Sequence, residues 1–298
     1  MCSTPSSVRR CDRYAYVDRK RLLPLLLFAV AASLLGAVLL KPPNSAHLGP
    51  PGGARTPATT ATARTGGPGP VLGIASPSPS APSGSRLALR FAFDGGLGGA
   101  VHDTEGLLQL RVKSAAGGSL TTFPHGDGLA VRFPPRCAAY ATERCQRAVL
   151  QSGPAAFLNP ARAPFRYGAS VRLASNETSN GANVLQKGYS VGDSQFKLQV
   201  DGREGRPSCV LVGVGSRRIH VALSSVTVAD GQWHRIECSR GDSLLTIAVD
   251  GKIQGQTAIP SSLSIVNKDP LCIGGKGTSV NNDQFAGSVD DVFITLDG

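Results

Sequence analysis

From Arg86 onward, apolar and polar residues alternate in short segments of the kind that form half-buried β-strands. Asp-Gly pairs, which favour tight turns, separate several of these segments, and no segment shows a sustained helical period. Many short strands at such spacing predict an antiparallel sandwich or barrel. The predicted strands are 86–93, 107–113, 128–134, 167–174, 195–201, 208–214, 218–224, 232–239, 243–250 and 288–296.

The pattern is different in residues 22–40, which are apolar or small throughout and contain no charged residue. A helix of this length is about 28 Å long, close to the thickness of the hydrocarbon core of a membrane. Residues 1–21 carry six basic and two acidic residues, so the positive-inside rule predicts a cytoplasmic tail and an extracytoplasmic C-terminal part. We therefore predict a transmembrane signal anchor in the cell membrane. Secretion after cleavage of a signal peptide is the alternative.

Residues 41–85 are rich in Pro, Gly, Ser, Thr and Ala, and ten of these 45 residues are proline. Such a stretch buries too little apolar surface to offset its chain entropy, so we predict an extended linker. The remaining residues, 86–298, are numerous enough for one sandwich of a dozen or more strands. The chain is thus predicted to consist of a tail (1–21), an anchor (22–40), a linker (41–85) and a single β domain (86–298).

Charge does not change this picture. The net charge of +11 is mostly contributed by the N-terminal segments, because residues 86–298 carry 22 basic and 18 acidic residues. The predicted domain has no run of basic residues interleaved with aromatic residues, which is the pattern typical of nucleic-acid binding. We therefore expect no nucleic acid among the partners of this protein.

The seven cysteines are divided by the predicted anchor. Cys2 and Cys11 precede it and are expected to be reduced, whereas the other five follow it into a compartment where disulfides persist. Five is an odd number, so at least one of these thiols is left over. Cys137 and Cys145 are eight residues apart, and we predict that a disulfide between them closes one loop.

Residues 228–240, VADGQWHRIECSR, contain the only tryptophan of the chain. On a strand, Trp233 and Arg235 point to one side, and His234 and Ile236 point to the other. Neither side is purely apolar, so the alternation alone does not decide which one faces the core. His234 has no second His or Cys at the spacing of a metal site, and we predict that it has a structural role.

The carboxylates argue against an enzyme. Glycoside hydrolysis requires two carboxyl groups about 5–9.5 Å apart. The only adjacent acidic pair is Asp290-Asp291, whose side chains point to opposite faces of a strand, and Asp201 and Glu204 lie in a predicted turn. The sequence also lacks a nucleophile elbow, a phosphate-binding loop and the spacing of a zinc site.

The segment VADGQWHRIECSRGDSLLTIAVDGK (228–252) resembles the signature of laminin G-like domains of the concanavalin A-like lectin/glucanase superfamily. Three further segments resemble the opening, central and closing strands of that family: RFAFDGGLGGAVHDTEG (90–106), NVLQKG (183–188) and DQFAGSVDDVFIT (283–295). The four segments occur in the order of the family and extend over residues 86–298. The domain looks like the secreted, cysteine-bearing form of bacteria.

This resemblance implies an all-β fold, a jelly-roll sandwich of two antiparallel sheets. Its signature residues here are Gly231, Trp233, Asp250 and Gly251. The resemblance implies that Trp233 packs in the core beside the turn at Gly231. A platform on which a sugar ring stacks is the alternative for this tryptophan.

The strand order of the family also implies a second disulfide, between Cys209 and Cys238, since their strands come close together and run antiparallel. Cys272 is then the cysteine left over. We expect it to be a small buried apolar residue, with an intermolecular disulfide as the alternative.

Domains of this family often carry a calcium ion, which prefers carboxylate and carbonyl oxygens. The residues at matching positions are Asp290 in the closing strand, with Asp94 and Asp103 in the opening segment. The resemblance thus implies one Ca²⁺ site formed by these three residues. The alternative is that they form hydrogen bonds at turns and strand ends.

The functional prediction is a membrane-anchored extracytoplasmic binding module that recognises carbohydrate, such as a cell-wall or extracellular glycan. The first alternative is a module that binds a cell-envelope protein and has no sugar site, for which an apolar patch would speak. The second is a glycoside hydrolase. The glucanases of this superfamily carry Glu-x-Asp-x-x-Glu on one strand, and this sequence contains no such segment.

Overall fold

The computed structural model describes residues 87–137, 142–191 and 193–297. The predictions of a tail, an anchor and a linker concern residues 1–85 and lie outside these ranges. Among the helices of the described residues, none has the length and apolar character needed to cross a membrane.

The described part of the chain forms strands and two 3₁₀ helices, Ala156–Leu158 and Ser175–Glu177. The strands are β1 (Leu87–Phe91), β2 (Val101–His102), β3 (Gln109–Ala115), β4 (Thr121–His125), β5 (Gly128–Arg132), β6 (Arg147–Pro154), β7 (Phe165–Arg172), β8 (Asn183–Gly188), β9 (Gln195–Asp201), β10 (Arg206–Val212), β11 (Ile219–Leu223), β12 (Trp233–Arg240), β13 (Leu244–Val249), β14 (Lys252–Ala258), β15 (Pro270–Ile273) and β16 (Ser288–Leu296).

These strands form two sheets, and every pairing between them is antiparallel. Sheet A has the order β14-β13-β12-β7-β16-β5-β4, and β1 pairs with the second half of β16. Sheet B has the order β11-β10-β9-β8-β15-β6-β3-β2. The prediction of an all-β sandwich with two antiparallel sheets is confirmed.

The core lies between the facing sides of the two sheets. At its centre, Phe165 and Tyr167 of β7 contact Phe196 of β9, with ring centroids 5.1–5.4 Å apart. Aromatic contacts of this kind stabilise a core beyond the area that they bury. The hydroxyl group of Tyr167 donates a hydrogen bond to the carbonyl oxygen of Lys197 at 3.2 Å, and burial raises the pKa of this tyrosine.

Both predicted disulfides are confirmed. Cys209 on β10 of sheet B is bonded to Cys238 on β12 of sheet A, with their Cα atoms 5.7 Å apart. The two strands are therefore not neighbours in one sheet, and the bond links the sheets across the core. Cys137 and Cys145 close their loop with a Cα–Cα distance of 5.6 Å. Cys272 lies outside these two disulfides, buried on β15.

Strands at the edges of the sheets have the weakest signals in the sequence. The segment of β4, TTFPH, contains Pro124, which lacks the N–H group that an interior strand needs. The fold accepts this proline because β4 is an edge strand and pairs only with β5. The other edge strand of sheet A, β14, has the sequence KIQGQTA. This segment is mostly polar, so the alternation of apolar and polar residues does not indicate a strand there.

Candidate functional site

Trp233 lies on the outer face of sheet A. On β12 the inward positions are Ile236, Cys238 and Arg240, all buried, so the alternate positions from Trp233 onward point away from the core. Trp233 is half-buried and does not belong to the core cluster. The expectation that this tryptophan packs in the core is therefore wrong. Side chains on a strand alternate between its two faces, and Trp233 lies on the face opposite to the buried Ile236, Cys238 and Arg240.

Two side chains of β4 cover Trp233. Its ring stacks on the imidazole of His125, with centroids 3.9 Å apart and planes at 26°, and on Phe123 at 6.4 Å and 24°. In sheet A, three strands separate β12 from β4. Because β5 pairs with β16 over only two residue pairs, the β4–β5 hairpin can bend over the outer face and bring these rings together.

His125 is itself fixed by a buried carboxylate. Its Nδ1 lies 2.6 Å from Oδ2 of Asp290, a residue on β16 that is 6% exposed. The other oxygen of Asp290 accepts a hydrogen bond from the backbone N–H of Asp291 at 2.7 Å. Burial raises the pKa of Asp290, and the bond to His125 opposes this shift in part. Trp233, His125 and Asp290 thus form a column from the surface down to the sheet.

A groove of about 400 Å³ lies beside this column on the same face, and we call it the sheet-A groove. The strand register explains its composition, because Arg172 on β7 pairs with Ser288 on β16, and Ser288 pairs with Arg132 on β5. Side chains directly opposite each other share one face of a sheet. The lining residues are Phe123, Arg132, Arg172, Ala174, Glu177, Gly231 and Ser288.

The charged groups of the sheet-A groove differ in how they are engaged. Arg132 forms an ion pair with Glu177, whose second oxygen accepts a hydrogen bond from the backbone N–H of Ala174 at 2.8 Å. Arg172 donates only its Nε, to the carbonyl oxygen of Gly231 at 2.8 Å. Within the described residues, the two terminal nitrogens of Arg172 have no hydrogen-bond partner, so they can donate to a ligand.

A second groove, of about 480 Å³, lies on the other side of the 3₁₀ helix Ser175–Glu177, and we call it the loop groove. Hydroxyl, amide and guanidinium groups line it, and none of its described lining residues is acidic. These residues are Arg136, Ser175, Thr178, Ser179, Asn180, Gly202 and Arg203.

His234 has the structural role that the sequence predicts. Its Nδ1 lies 2.8 Å from Oδ2 of Asp250, and its Nε2 lies 3.1 Å from Oδ1 of Asp230. It thereby ties the turn at Gly231 to the turn at Gly251. Both glycines have positive φ angles, 82° and 75°, a backbone region that favours glycine.

The three aspartates predicted for calcium do not form a joint site. Asp103 accepts two hydrogen bonds from backbone N–H groups of its own turn, and Asp94 accepts one from the N–H of Leu129 at 2.9 Å. Asp290 is engaged with His125. In the three described ranges, no group of three or more His, Cys, Asp or Glu side chains could hold a metal ion. Calcium binding by this protein stays a prediction from the resemblance.

Sequence reasoning missed most residues of the sheet-A groove. Their only signal is their place on alternating strands, and their meeting depends on the register between strands and on the bend of the β4–β5 hairpin. Neither can be derived from one sequence. The missed residues are Phe123, Arg132, Arg172, Ala174, Glu177 and Ser288 in the lining, and His125 beside it.

Comparison with known proteins agrees with this architecture. Residues 183–296, which include β8 to β16, match the model of the family described as Laminin G domain. Among solved structures, domain 4 of AbnA is similar to this chain; AbnA is a GH43 extracellular arabinanase from Geobacillus stearothermophilus, and the domain is in complex with arabinotriose. The identity is 12% and the TM-score is 0.53, over 70% of this chain and 91% of that chain.

Two toxin domains are also similar, at TM-scores below 0.5. The binding domain of Paraclostridial Mosquitocidal Protein 1 is 13% identical, with a TM-score of 0.49 over 70% of this chain and 48% of that chain. The binding domain of Botulinum Neurotoxin DC, in complex with SialylT, is 10% identical, with a TM-score of 0.48 over 69% and 47%. At such identities the likeness to the arabinanase domain concerns the fold alone. The family match covers residues 183–296, and the fold of the described residues is an antiparallel β-sandwich.

Proposed function

We propose that this protein is a membrane-anchored, extracytoplasmic binding module that recognises carbohydrate in the sheet-A groove. The observation that carries the proposal is the cluster of Trp233, His125 and Phe123 beside a groove lined by charged and hydroxyl side chains. A sugar ring has apolar C–H faces and polar hydroxyl edges. Aromatic surfaces next to a few fixed polar groups suit such a ligand.

Each groove residue offers a different kind of contact to a sugar. Phe123 offers an aromatic face at the edge of the groove, and the terminal nitrogens of Arg172 donate to sugar oxygens. The carboxylate of Glu177, held by Arg132, can accept a hydrogen bond from a sugar hydroxyl group. Glu177 is the one carboxylate among the described residues of this lining, whereas hydrolysis requires a pair. Binding without catalysis is the function that this arrangement favours.

The arabinanase domain that shares this fold was solved with arabinotriose, so arabino-oligosaccharides belong in the first panel of ligands. The membrane anchor in this proposal is the apolar segment 22–40. Recovery of the full chain in the membrane fraction, and its release into the medium when residues 1–40 are exchanged for a cleavable signal peptide, would test that part.

The binding test is a glycan screen on the full chain with its disulfides formed, followed by calorimetry on the best ligand. We expect Phe123→Ala and Arg172→Gln each to weaken binding at least about tenfold, which corresponds to about 1.4 kcal/mol. Phe157→Ala is the matched control, because Phe157 is an exposed aromatic residue that precedes β7 at the opposite end from Arg172. Absence of binding by folded protein, or equal losses in all three variants, would refute the proposal.

One observation favours the alternative, a module that binds a protein. The edge strand β11 exposes Ile219, Val221 and Leu223 on one side, with 53%, 41% and 49% of each residue accessible. Exposed apolar residues in a row are typical of protein interaction surfaces. A cell-envelope protein that is captured by the full chain and lost with Val221→Ser, while glycans fail to bind, would establish this alternative.

A further inference from the structure

We infer that the glycan carries an acidic group, and that Arg136 and Arg203 bind this group in the loop groove. The inference rests on the proposed function and specifies its ligand. Both arginines are exposed and line the groove. Among the described residues, neither guanidinium group has a hydrogen bond or an ion pair. An arginine fork matches the geometry of a carboxylate, sulfate or phosphate group.

The rest of the loop groove suits an anionic sugar. The hydroxyl group of Thr178 donates to the carbonyl oxygen of Ser175 at 3.0 Å, and that of Ser179 donates to the carbonyl oxygen of Gly181 at 3.0 Å. Their oxygens can therefore accept hydrogen bonds from sugar hydroxyl groups. The acidic group is left to the two arginines.

In proportion to their charged groups, the linings of the two grooves carry a larger excess of positive over negative groups than the domain as a whole. Residues 86–298 carry 22 basic and 18 acidic residues, which is close to balance. The described linings of the two grooves hold four arginines and one carboxylate. That carboxylate, Glu177, is neutralised by Arg132. Three cationic groups therefore remain for a ligand: Arg136, Arg172 and Arg203.

The backbones that carry Arg136 and Arg203 are anchored. Arg136 precedes Cys137, whose disulfide partner Cys145 accepts a hydrogen bond from the buried Arg147 at its carbonyl oxygen, at 2.8 Å. On the other side of the groove, the N–H of Gly202 donates to the carbonyl oxygen of Ser179 at 2.8 Å. This bond fixes the turn that presents Arg203. Anchored donors lose less conformational entropy when a ligand binds.

The two grooves are also placed to act on one ligand. Ala174 and Glu177 line the sheet-A groove, while Ser175 and Thr178 line the loop groove, so one short segment forms a wall of both. A sugar ring bound in the sheet-A groove brings the next residue of its chain to this wall. The acidic group of that residue then reaches the pair of arginines.

The test uses pairs of ligands that differ only in charge, with the full chain. Oligogalacturonate is compared with its methyl ester, and a sulfated oligosaccharide with its desulfated form. We expect the acidic member of at least one pair to bind about tenfold more tightly, and added salt to reduce the difference. The double variant Arg136→Gln/Arg203→Gln should lose this preference and keep the affinity for the neutral member.

Arg217→Gln/Arg218→Gln is the matched control, since these two exposed arginines precede β11, away from the grooves, and the change in charge is the same. It should leave the preference unchanged. Equal affinity for both members of every pair, or a preference that survives Arg136→Gln/Arg203→Gln, overturns the inference while the proposed function stands. Inorganic sulfate or phosphate binding as tightly as the glycans also overturns it. Absence of any glycan binding refutes the proposed function as well.

Discussion

At the scale of single residues, His234 shows how a polar side chain stabilises two turns at once. Burial disfavours its imidazolium form, but the carboxylates of Asp250 and Asp230 outweigh this effect and raise the pKa of His234 above 6.5. The hydrogen bond from the backbone N–H of Gln232 is the main reason that the pKa of Asp230 is lowered, and His234 adds to this shift. Burial raises the pKa of Asp250, but the hydrogen bonds from His234 and from the backbone N–H of Arg235 outweigh it and lower this pKa. The protonated ring therefore favours the folded state.

We expect this contribution to be complete below pH 6.5 and to disappear as the pH rises through the elevated pKa of folded His234. Because the carboxylates of Asp230 and Asp250 are 46% and 52% exposed, solvent screens their attraction to His234, and the gain should be below about 1 kcal/mol. Urea unfolding of the protein and of His234→Gln at about pH 5.5 and about pH 8.5 measures it. A stability difference between the two proteins that is no larger at the lower pH would contradict the prediction.

Lys187 is the opposite case, a buried amine. Its Nζ donates to Oδ1 of Asn159 at 2.8 Å and to Oδ1 and the carbonyl oxygen of Asn267 at 2.5 and 3.1 Å. Burial lowers the pKa of this lysine from 10.5 to about 8. Between these two values the unfolded chain binds more protons than the folded chain, so the free energy of unfolding should rise with pH.

Lys187→Met should remove most of this rise between pH 8 and pH 10.5, whereas Lys252→Met, at an exposed position on β14, should preserve it. Unfolding in urea across this interval provides the measurement. The prediction fails if all three proteins gain the same stability with pH.

At the scale of elements, the β4–β5 hairpin is what completes the candidate site. The contact of His125 with Trp233 and its bond to Asp290 hold the hairpin over sheet A. Trp233 is the only tryptophan of the chain, so its fluorescence reports on this contact alone. We expect His125→Ala to shift the emission to longer wavelength and to increase quenching by iodide. Loss of the stacking and of the hydrogen bond should cost about 1–3 kcal/mol.

Phe157→Ala serves again as the control and should leave the emission unchanged. An unaltered spectrum in His125→Ala would show that the hairpin stays in place without this contact.

The same hairpin marks the limit of what the sequence predicts. Alternation predicts ten of the strands, and the Asp-Gly pairs predict turns at Gly231 and Gly251, where φ is positive, because these signals are local. The position of Trp233 does not follow from such signals, since apolar and polar residues occur on both sides of β12. Its true neighbours, Phe123 and His125, lie more than 100 residues earlier on a strand that contains proline. Contacts of this kind depend on how the sheet bends.

At the scale of the whole molecule, the two disulfides should differ in their effect on stability. Cys209–Cys238 closes 29 residues and joins the two sheets, whereas Cys137–Cys145 closes eight. Chain-entropy arguments give about 3–4 kcal/mol for the first and about 2–3 kcal/mol for the second. Replacing each pair by alanines and measuring unfolding in urea checks this order. Equal losses, or the reverse order, would disagree with it.

The place of β16 in sheet A has a consequence for biogenesis. This strand is the last of the described strands in chain order, yet it lies inside sheet A, between β7 and the strands β1 and β5. While the ribosome is still translating the earlier strands, sheet A has a gap at its middle. Until β16 is made, the edge of β7 that pairs with it stays unpaired. An unpaired strand edge can pair with another chain, so it is an aggregation risk during synthesis. A chain exported as it is made would therefore complete sheet A only after β16 has crossed the membrane.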